Sequence, residues 1–258
     1  GTPTENLWAE IHERRTQTSV TKNASPNIVG QATDNLDVST IKTSFAKVTG
    51  TTIAFDAATK KITDSGEGLA GFLTGERIKV TGSAKNDGTY TVATGGVAGE
   101  IVVSESLMDE DAEESITIET IYELTFSGTK PTLDADKTYY LVVYRDFGVS
   151  DADFVLVGFD NSGPEYEEGK YWQIEEKNGS LDWGGYDCVD LVFEIHGLNT
   201  EEQSLISLGV LETGFNLHLK ATKEEFLLSQ SFIPENNCDL TKVKLNLKKY
   251  RIVVKVKP

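Results

Sequence analysis

The stretch LTKVKLNLKKYRIVVKVKP, from Leu240 to Pro258, decides the fold class because its apolar residues alternate with lysines over two short runs. An alternation with a period of two places one kind of residue on each face of a β-strand. A strand pair with one apolar face needs another sheet layer to cover it, so we predict that these are assembly strands. Their apolar positions are Leu240, Val243, Leu245, Leu247, Ile252, Val254 and Val256.

The same alternation recurs along the chain about every ten residues, between turns rich in Gly, Asn and Asp. Examples are RIKVTG, EIVVSES, TYYLVVYR and DFVLVGF. We therefore predict an all-β protein, a jelly-roll β-sandwich with an inserted small β-barrel or sandwich module. A short helix within 199–212 is the one open alternative, and Asn86-Asp87-Gly88 is predicted to supply the positive φ of a hairpin turn.

The charge is distributed unevenly. The chain has a formal net charge of −17, yet residues 240–258 carry seven basic residues and no acidic one. An acidic chain lacks the clustered basic surface that binds phosphates, so we expect no nucleic-acid partner. The lysines lie on the face opposite the apolar residues, and we expect them to complement the acidic body of this chain or of another copy.

The sequence lacks the patterns typical of membrane helices, zinc sites and the common enzyme families. No apolar run approaches the roughly 18 residues of a membrane helix, so we expect no membrane insertion. Cys188 and Cys238 do not combine with the three histidines at zinc-ligand spacing, and two thiols are favoured over a disulfide. No nucleophile, metalloprotease or nucleotide-binding motif is present, so we expect neither enzymatic activity nor a cofactor.

Two ligand-binding hypotheses remain. Flat aromatic rings beside polar side chains are typical of glycan recognition, because a ring can stack on a sugar face. The glycan-binding candidates are Trp172, Trp183, Tyr166, Tyr186, Asp160 and Asn161, although core packing is the alternative for the strand aromatics. Asp151, Asp153 and Asp160 are weak candidates for a calcium site, for which a plain acidic loop is the alternative.

The region 50–119 is rich in glycine and carries a recognisable pattern. Its matching residues are Ile62 to Ser65, Phe72, Gly75 to Ile78, Thr81 to Ser83 and Asn86 to Tyr90. This pattern resembles a small β module found in virion proteins of tailed phages. The resemblance implies a virion origin rather than a particular activity, because the module decorates several classes of phage protein.

A second resemblance covers most of the remaining chain. Residues 136–143, Tyr171-Trp172, Trp183, Tyr186-Asp187 and 191–197 resemble the second half of a jelly-roll, carbohydrate-binding-like domain of phage virion and extracellular structural proteins. In that family, strands similar to 228–249 come first and are followed by stretches similar to 1–13 and 25–50. Here the first strands stand last in the chain.

The permuted order gives the expected domains. We predict a jelly-roll sandwich from 1–49 and 120–198, the inserted module at 50–119, a connector at 199–227 and completing strands at 228–258. Those strands either fold back into their own domain, enter the next copy by strand addition, or belong to a tandem array cut within a repeat. The connector could reach ~100 Å when extended, and the lack of an initiator Met favours donation or a tandem partner.

The expected function follows from this incomplete jelly-roll. We expect a non-enzymatic structural protein of a virion or extracellular filament, located in the virion or on an extracellular surface. Its partners would be other copies of itself, joined head to tail by β-strand complementation. The alternative is a carbohydrate-binding module of a phage tail fibre or surface adhesin, with a cell-surface glycan as its partner.

Overall fold

The protein is all-β, as the alternation predicts. The structure, a computed structural model, describes residues 5–13, 27–42, 45–145, 153–160, 171–177, 180–186, 190–191, 193–198, 202–208, 215–220 and 228–251. Two short 3-10 helices, Val38–Thr40 and Gly68–Gly71, accompany the strands of this described part. The strands are β1 Asn6–His12, β2 Leu36–Asp37, β3 Lys47–Gly50, β4 Ile53–Asp56, β5 Lys61–Asp64, β6 Arg77–Thr81, β7 Gly88–Thr94, β8 Glu100–Val103, β9 Ile116–Thr125, β10 Thr132–Leu133, β11 Tyr139–Arg145, β12 Asp153–Asp160, β13 Tyr171–Lys177, β14 Ser180–Tyr186, β15 Asp190–Leu191, β16 Phe193–Leu198, β17 Glu202–Leu208, β18 Phe215–Lys220, β19 Leu228–Phe232, β20 Cys238–Leu245 and β21 Leu247–Arg251.

The chain divides into two compact units. The larger unit comprises residues 1–43 and 123–258, and the smaller unit comprises residues 44–122. Each unit has a buried apolar core of its own. The jelly-roll topology and the insertion of the module stay predictions.

In the larger unit, one sheet has the strand order β14-β13-β19-β11-β1-β2. In a second sheet, β20 lies between β16 and the last residues of β9, with β17 beyond β16 and β10 also paired to β20. A third sheet pairs β12 with β15, β18 and β21. The ring of Phe232 in the first sheet lies 6.5 Å from that of Phe193 in the second, so the two sheets face each other as a β-sandwich.

The smaller unit is a sheet of short strands in the order β9-β6-β7-β8-β5-β4, with β3 also paired to β9. Buried and partly exposed residues alternate along β5, β6 and β8, which is the pattern of a sheet with one apolar face. Its core consists mainly of aliphatic side chains with Phe55, Phe72 and Tyr90.

Two local predictions differ from the structure. Residues 202–208 form strand β17 rather than a helix, because they pair along β16, and the predicted connector also contains β18. The β6–β7 hairpin is confirmed, but its positive φ, +84°, lies at Gly82 and not within 86–88. A Cβ at Gly82 would lie 2.5 Å from the carbonyl oxygen of Ser115, so the close approach of that backbone requires glycine.

Candidate functional site

Residues 228–251 are here called the C-terminal segment, and two of its three strands, β19 and β20, occupy interior positions in the sheets of the larger unit. Strand β19 lies between β11 and β13, with Val142 opposite Ser229 and Trp172 opposite the same serine. Strand β20 lies between β16 and the last residues of β9, which belong to the larger unit. The segment pairs with strands of its own chain, so the apolar edges expected from the permuted order are covered in this structure.

The apolar positions predicted for the tail are buried as far as the structure describes them. Leu240, Val243 and Leu245 are fully buried and Leu247 is 1% exposed. Burying four such side chains contributes roughly 1.5–3 kcal/mol each to the docking of the segment. The other three predicted positions, Ile252, Val254 and Val256, lie outside the described residues.

The lysines of β20 meet acidic residues of the larger unit, in line with the charge complementarity expected from the sequence. Lys244 Nζ lies 3.4 Å from Glu194 Oε2, and Lys242 Nζ lies 3.8 Å from Glu123 Oε1. Glu194 also contacts His196, with 3.0 Å between Oε2 and Nε2. Lys244 is only 7% exposed, and burial lowers its pKa below the ordinary lysine value against the opposing effect of Glu194 and Glu123.

Polar side chains are also buried inside the segment. Gln230 is fully buried, and its Oε1 accepts a hydrogen bond from the backbone N–H of Leu191 at 3.2 Å. Ser229 Oγ and Asn246 Nδ2 are buried with no hydrogen-bond partner among the described residues. Each such group costs about 1–3 kcal/mol, so the segment docks less tightly than its apolar burial alone would give.

Cys238, in the first position of β20, is a buried free thiol. Burial, with a smaller effect of Asp239, raises the pKa of this thiol to about 11. Little thiolate is therefore present near neutral pH, and the side chain behaves as a small apolar group. Cys188 lies outside the described residues.

A second buried polar network lies on β1 and β11 and was not predicted. Glu10 accepts hydrogen bonds from Trp8 Nε1 at 3.3 Å and shares one with His12 Nε2 at 2.9 Å. The hydroxyl of Tyr144 lies 3.3 Å from the same histidine nitrogen, and its ring stacks on Trp8 at 5.4 Å. Residues 10–12 and 194–196 share the sequence Glu-Ile-His, and this repeat is the signal that could have revealed both pairs.

The structure brings together only two of the predicted glycan-binding residues. In the β13–β14 hairpin, Trp183 is opposite Ile174, which places positions 172 and 183 on the same face. Tyr186 is opposite Tyr171 and belongs to the other face. Asp160 belongs to β12 in a different sheet, and Tyr166 and Asn161 lie outside the described residues.

The calcium candidates gain no support from the described residues. Asp153 and Asp160 stand at opposite ends of β12, which separates them by the length of that strand. Asp151 lies outside the described residues. Within the described part of the chain, no three His, Cys, Asp or Glu side chains are grouped so that they could hold a metal ion.

In the smaller unit, two polar residues of the sequence pattern in 50–119 hold the backbone in place. Asp64 accepts hydrogen bonds from Thr52 Oγ1 at 2.5 Å and from the N–H groups of Gly66 and Gly68 at 2.8 Å. Asn86 donates to the carbonyl of Met108 and accepts from its N–H group. These contacts give the motif a structural role.

Glu110, in the acidic run 108–114, is held in place by its neighbours. Its carboxylate accepts hydrogen bonds from Ser83 Oγ at 2.5 Å, the N–H of Ala84 at 2.9 Å and Asn86 Nδ2 at 2.8 Å. Burial alone would raise the pKa of Glu110, but these hydrogen bonds outweigh it and the pKa is lowered. This carboxylate therefore anchors the loop between β6 and β7.

No family model and no curated protein sequence matches this chain. Among the described residues, no helix has the length and apolar character needed to cross a lipid bilayer.

Proposed function

We propose that this chain is a non-enzymatic structural protein of a virion or extracellular filament, whose copies join head to tail by exchange of the C-terminal segment. The observation that carries the proposal is the interior position of β19 and β20. A segment that forms the middle of a sheet can bind the same edges whether it comes from its own chain or from a neighbour. In the assembled form the segment of one copy completes the sandwich of the next.

The contacts of the segment suit such an exchange. Its apolar face supplies the free energy of docking, while Ser229 and Asn246 contribute buried polar atoms without partners among the described residues. Docking of the C-terminal segment is therefore favourable but not maximally tight. Such a segment can leave the larger unit of its own chain and enter that of another copy.

An engineered disulfide tests whose segment occupies the sheet. Thr132 and Asp239 are exposed partners on β10 and β20, and their side-chain oxygens are 2.7 Å apart. In a background carrying Cys188→Ser and Cys238→Ala, the pair Thr132→Cys and Asp239→Cys is oxidised over a range of protein concentrations. Exchange gives ladders of linked chains on a non-reducing gel, and each single-cysteine variant serves as the control. If monomers with only an internal link form at every concentration, the proposal is wrong.

The second candidate function is glycan binding. It is favoured by the shared face of positions 172 and 183 in the β13–β14 hairpin, which lies at the outer edge of its sheet. Aromatic residues at neighbouring positions of one sheet face can form a platform for a sugar ring. We expect glycan-array binding that Trp172→Ala or Trp183→Ala abolishes, whereas Tyr186→Phe on the other face retains it. The absence of any glycan signal with the folded protein would exclude this candidate.

A further inference from the structure

Gln230 is a polar side chain on the inward face of β19. Leu228, Gln230 and Phe232 lie on one face of this strand, because successive residues of a strand point to opposite sides, and all three are fully buried. The ring contact of Phe232 with Phe193 shows that this face is turned toward the second sheet. A buried amide is unfavourable unless it is hydrogen-bonded, so the partner of Gln230 bears on how β19 is held.

The amide of Gln230 has its partner in another sheet. Its Oε1 accepts the hydrogen bond from the backbone N–H of Leu191 at 3.2 Å, and its Nε2 lies 3.5 Å from the carbonyl oxygen of Ser231. Leu191 is the last residue of β15, and a single residue separates it from the start of β16. In addition to strand pairing, the C-terminal segment is therefore joined to the rest of the larger unit by a side-chain hydrogen bond to a backbone group.

The apolar pattern of β19 does not by itself fix the register of the strand. A slip by one residue would turn Leu228 and Phe232 to the other face, and the loss of their burial opposes it. A slip by two residues keeps the same face inward and is not opposed in this way. It would place Leu228 or Phe232 where Gln230 now stands, opposite Leu141 of β11 and Tyr171 of β13.

The amide group opposes a slip by two residues. In either direction an apolar side chain would replace Gln230 beside Leu191, and the N–H of Leu191 would lose this acceptor. The amide would move two residues along the sheet and lose the donor. A buried donor or acceptor without a partner is disfavoured by roughly fivefold to a hundredfold. Buried polar residues favour one register over others in the same way in the cores of coiled coils.

We propose that Gln230 is the specificity-determining residue of the C-terminal segment. Through its hydrogen bond to Leu191 it fixes the register of β19, and the sandwich thereby accepts a segment of this sequence in preference to an apolar strand of similar pattern. This inference rests on the proposed function in one respect, because under exchange the accepted segment comes from a second copy of this chain. The register itself is measured without reference to which copy supplies the strand.

Disulfide trapping in the full-length chain reads the register directly. Tyr140 and Ser231 are opposite each other on the outward face of β11 and β19, so the pair Tyr140→Cys and Ser231→Cys closes in the native register. Tyr140→Cys with Ser229→Cys, or with Ile233→Cys, closes only after a slip by two residues, because diagonal neighbours are too far apart for a disulfide. Each pair is oxidised in the cysteine-free background used above, and mass spectrometry of the linked peptides gives its yield.

With Gln230 present, we expect the native link to exceed either slipped link at least about tenfold. Gln230→Leu removes the amide and keeps an apolar side chain of similar size, and it should lower this ratio at least about fivefold. Gln230→Met, which keeps the length of the side chain, is measured in parallel so that a folded variant is at hand if one of the two is unstable. Circular dichroism checks the folding of each.

Asn246→Leu is the matched control, because it also replaces a buried amide of the C-terminal segment with leucine, and it should keep the native ratio. The proposal is overturned if the folded Gln230 variants keep that ratio, or if slipped links form as readily as the native one while Gln230 is present. The Thr132 and Asp239 experiment separates this result from the proposed function. Register loss in Gln230→Leu with internal links alone supports the role of Gln230 and excludes assembly by exchange, and ladders whose register does not depend on Gln230 do the reverse.

Discussion

The two units hold their carboxylates in different ways. In the smaller unit, Asp64, Glu105 and Glu110 accept hydrogen bonds from backbone N–H groups and from Ser, Thr or Asn side chains. In the larger unit, Glu10 and Glu194 are paired with histidines. All three histidines of the sequence belong to the larger unit. The smaller unit therefore fixes these carboxylates with neutral hydrogen-bond donors from its own turns and strands, whereas the larger unit pairs its two carboxylates with imidazole nitrogens two residues away on the same strand.

The largest expected effect comes from opening a cavity in either core. Ile195 in the larger unit and Ile78 in the smaller unit are both fully buried, and replacing such a side chain with alanine costs about 2–5 kcal/mol. We expect Ile195→Ala to lower the unfolding free energy of the larger unit alone, and Ile78→Ala that of the smaller unit alone. Denaturant unfolding followed by amide exchange separates the two. If each variant destabilised both units equally, the two units would not have independent cores.

A smaller effect is expected when the carboxylate of Glu110 is removed. Glu110→Ala leaves Ser83 Oγ and Asn86 Nδ2 without this acceptor, and water replaces part of the loss because Glu110 is half-buried. We expect a loss of about 2 kcal/mol from the unfolding free energy of the smaller unit. Glu113→Ala, an exposed position in the same acidic run, is the control and should change stability by less than about 0.5 kcal/mol. Equal effects of the two substitutions would show that Glu110 is no anchor.

The smallest effect concerns the acid stability of the smaller unit. Burial alone would raise the pKa values of Asp64 and Glu105, but hydrogen bonds from Thr52, Gly68 and Gly66 to Asp64, and from Thr91 to Glu105, leave both lowered. A carboxyl with a lowered folded pKa contributes stability above its unfolded value, near pH 4, and loses it as the pH falls through the folded value.

We therefore expect the smaller unit to keep its amide protection down to about pH 4. Below that pH the protection of β6 and β7 should fall, because Asp64 and Glu105 then gain their protons. Amide exchange of the full-length chain across this pH range checks the prediction. If β6 and β7 lost protection already well above about pH 4, the hydrogen bonds to these two carboxylates would not be the cause.

The fold class could be predicted from the sequence, because the alternation of apolar and polar residues along β5, β6, β8 and β20 is a local property. The need for glycine at position 82 could not be predicted from the sequence. It arises from the close approach of the Ser115 backbone, which is distant in sequence. The strand at 202–208 was missed for a similar reason, because pairing with β16 decides its conformation. Local patterns identify strands, but long-range pairing decides which ambiguous segments become strands.

The candidate sites were predictable to a smaller degree. The apolar positions of β20 follow from spacing, whereas the burial of Lys244 depends on the neighbouring strands and has no local sequence signal. The two Glu-Ile-His sequences, at 10–12 and 194–196, offered a signal, since residues two apart on a strand share a face. The grouping of Trp172 with Trp183 depends on the hairpin register, which composition alone does not give.

The interior position of β19 and β20 has a consequence for how the chain is made. Both strands follow, in the order of synthesis, every strand with which they pair. During synthesis the sheets of the larger unit therefore stay incomplete until β19 and β20 have been added. Pairing between strands that are far apart in sequence is slow. The smaller unit is complete once Tyr122 has been added and can fold while the rest is translated. We expect the nascent larger unit to be the part of the chain that a chaperone protects.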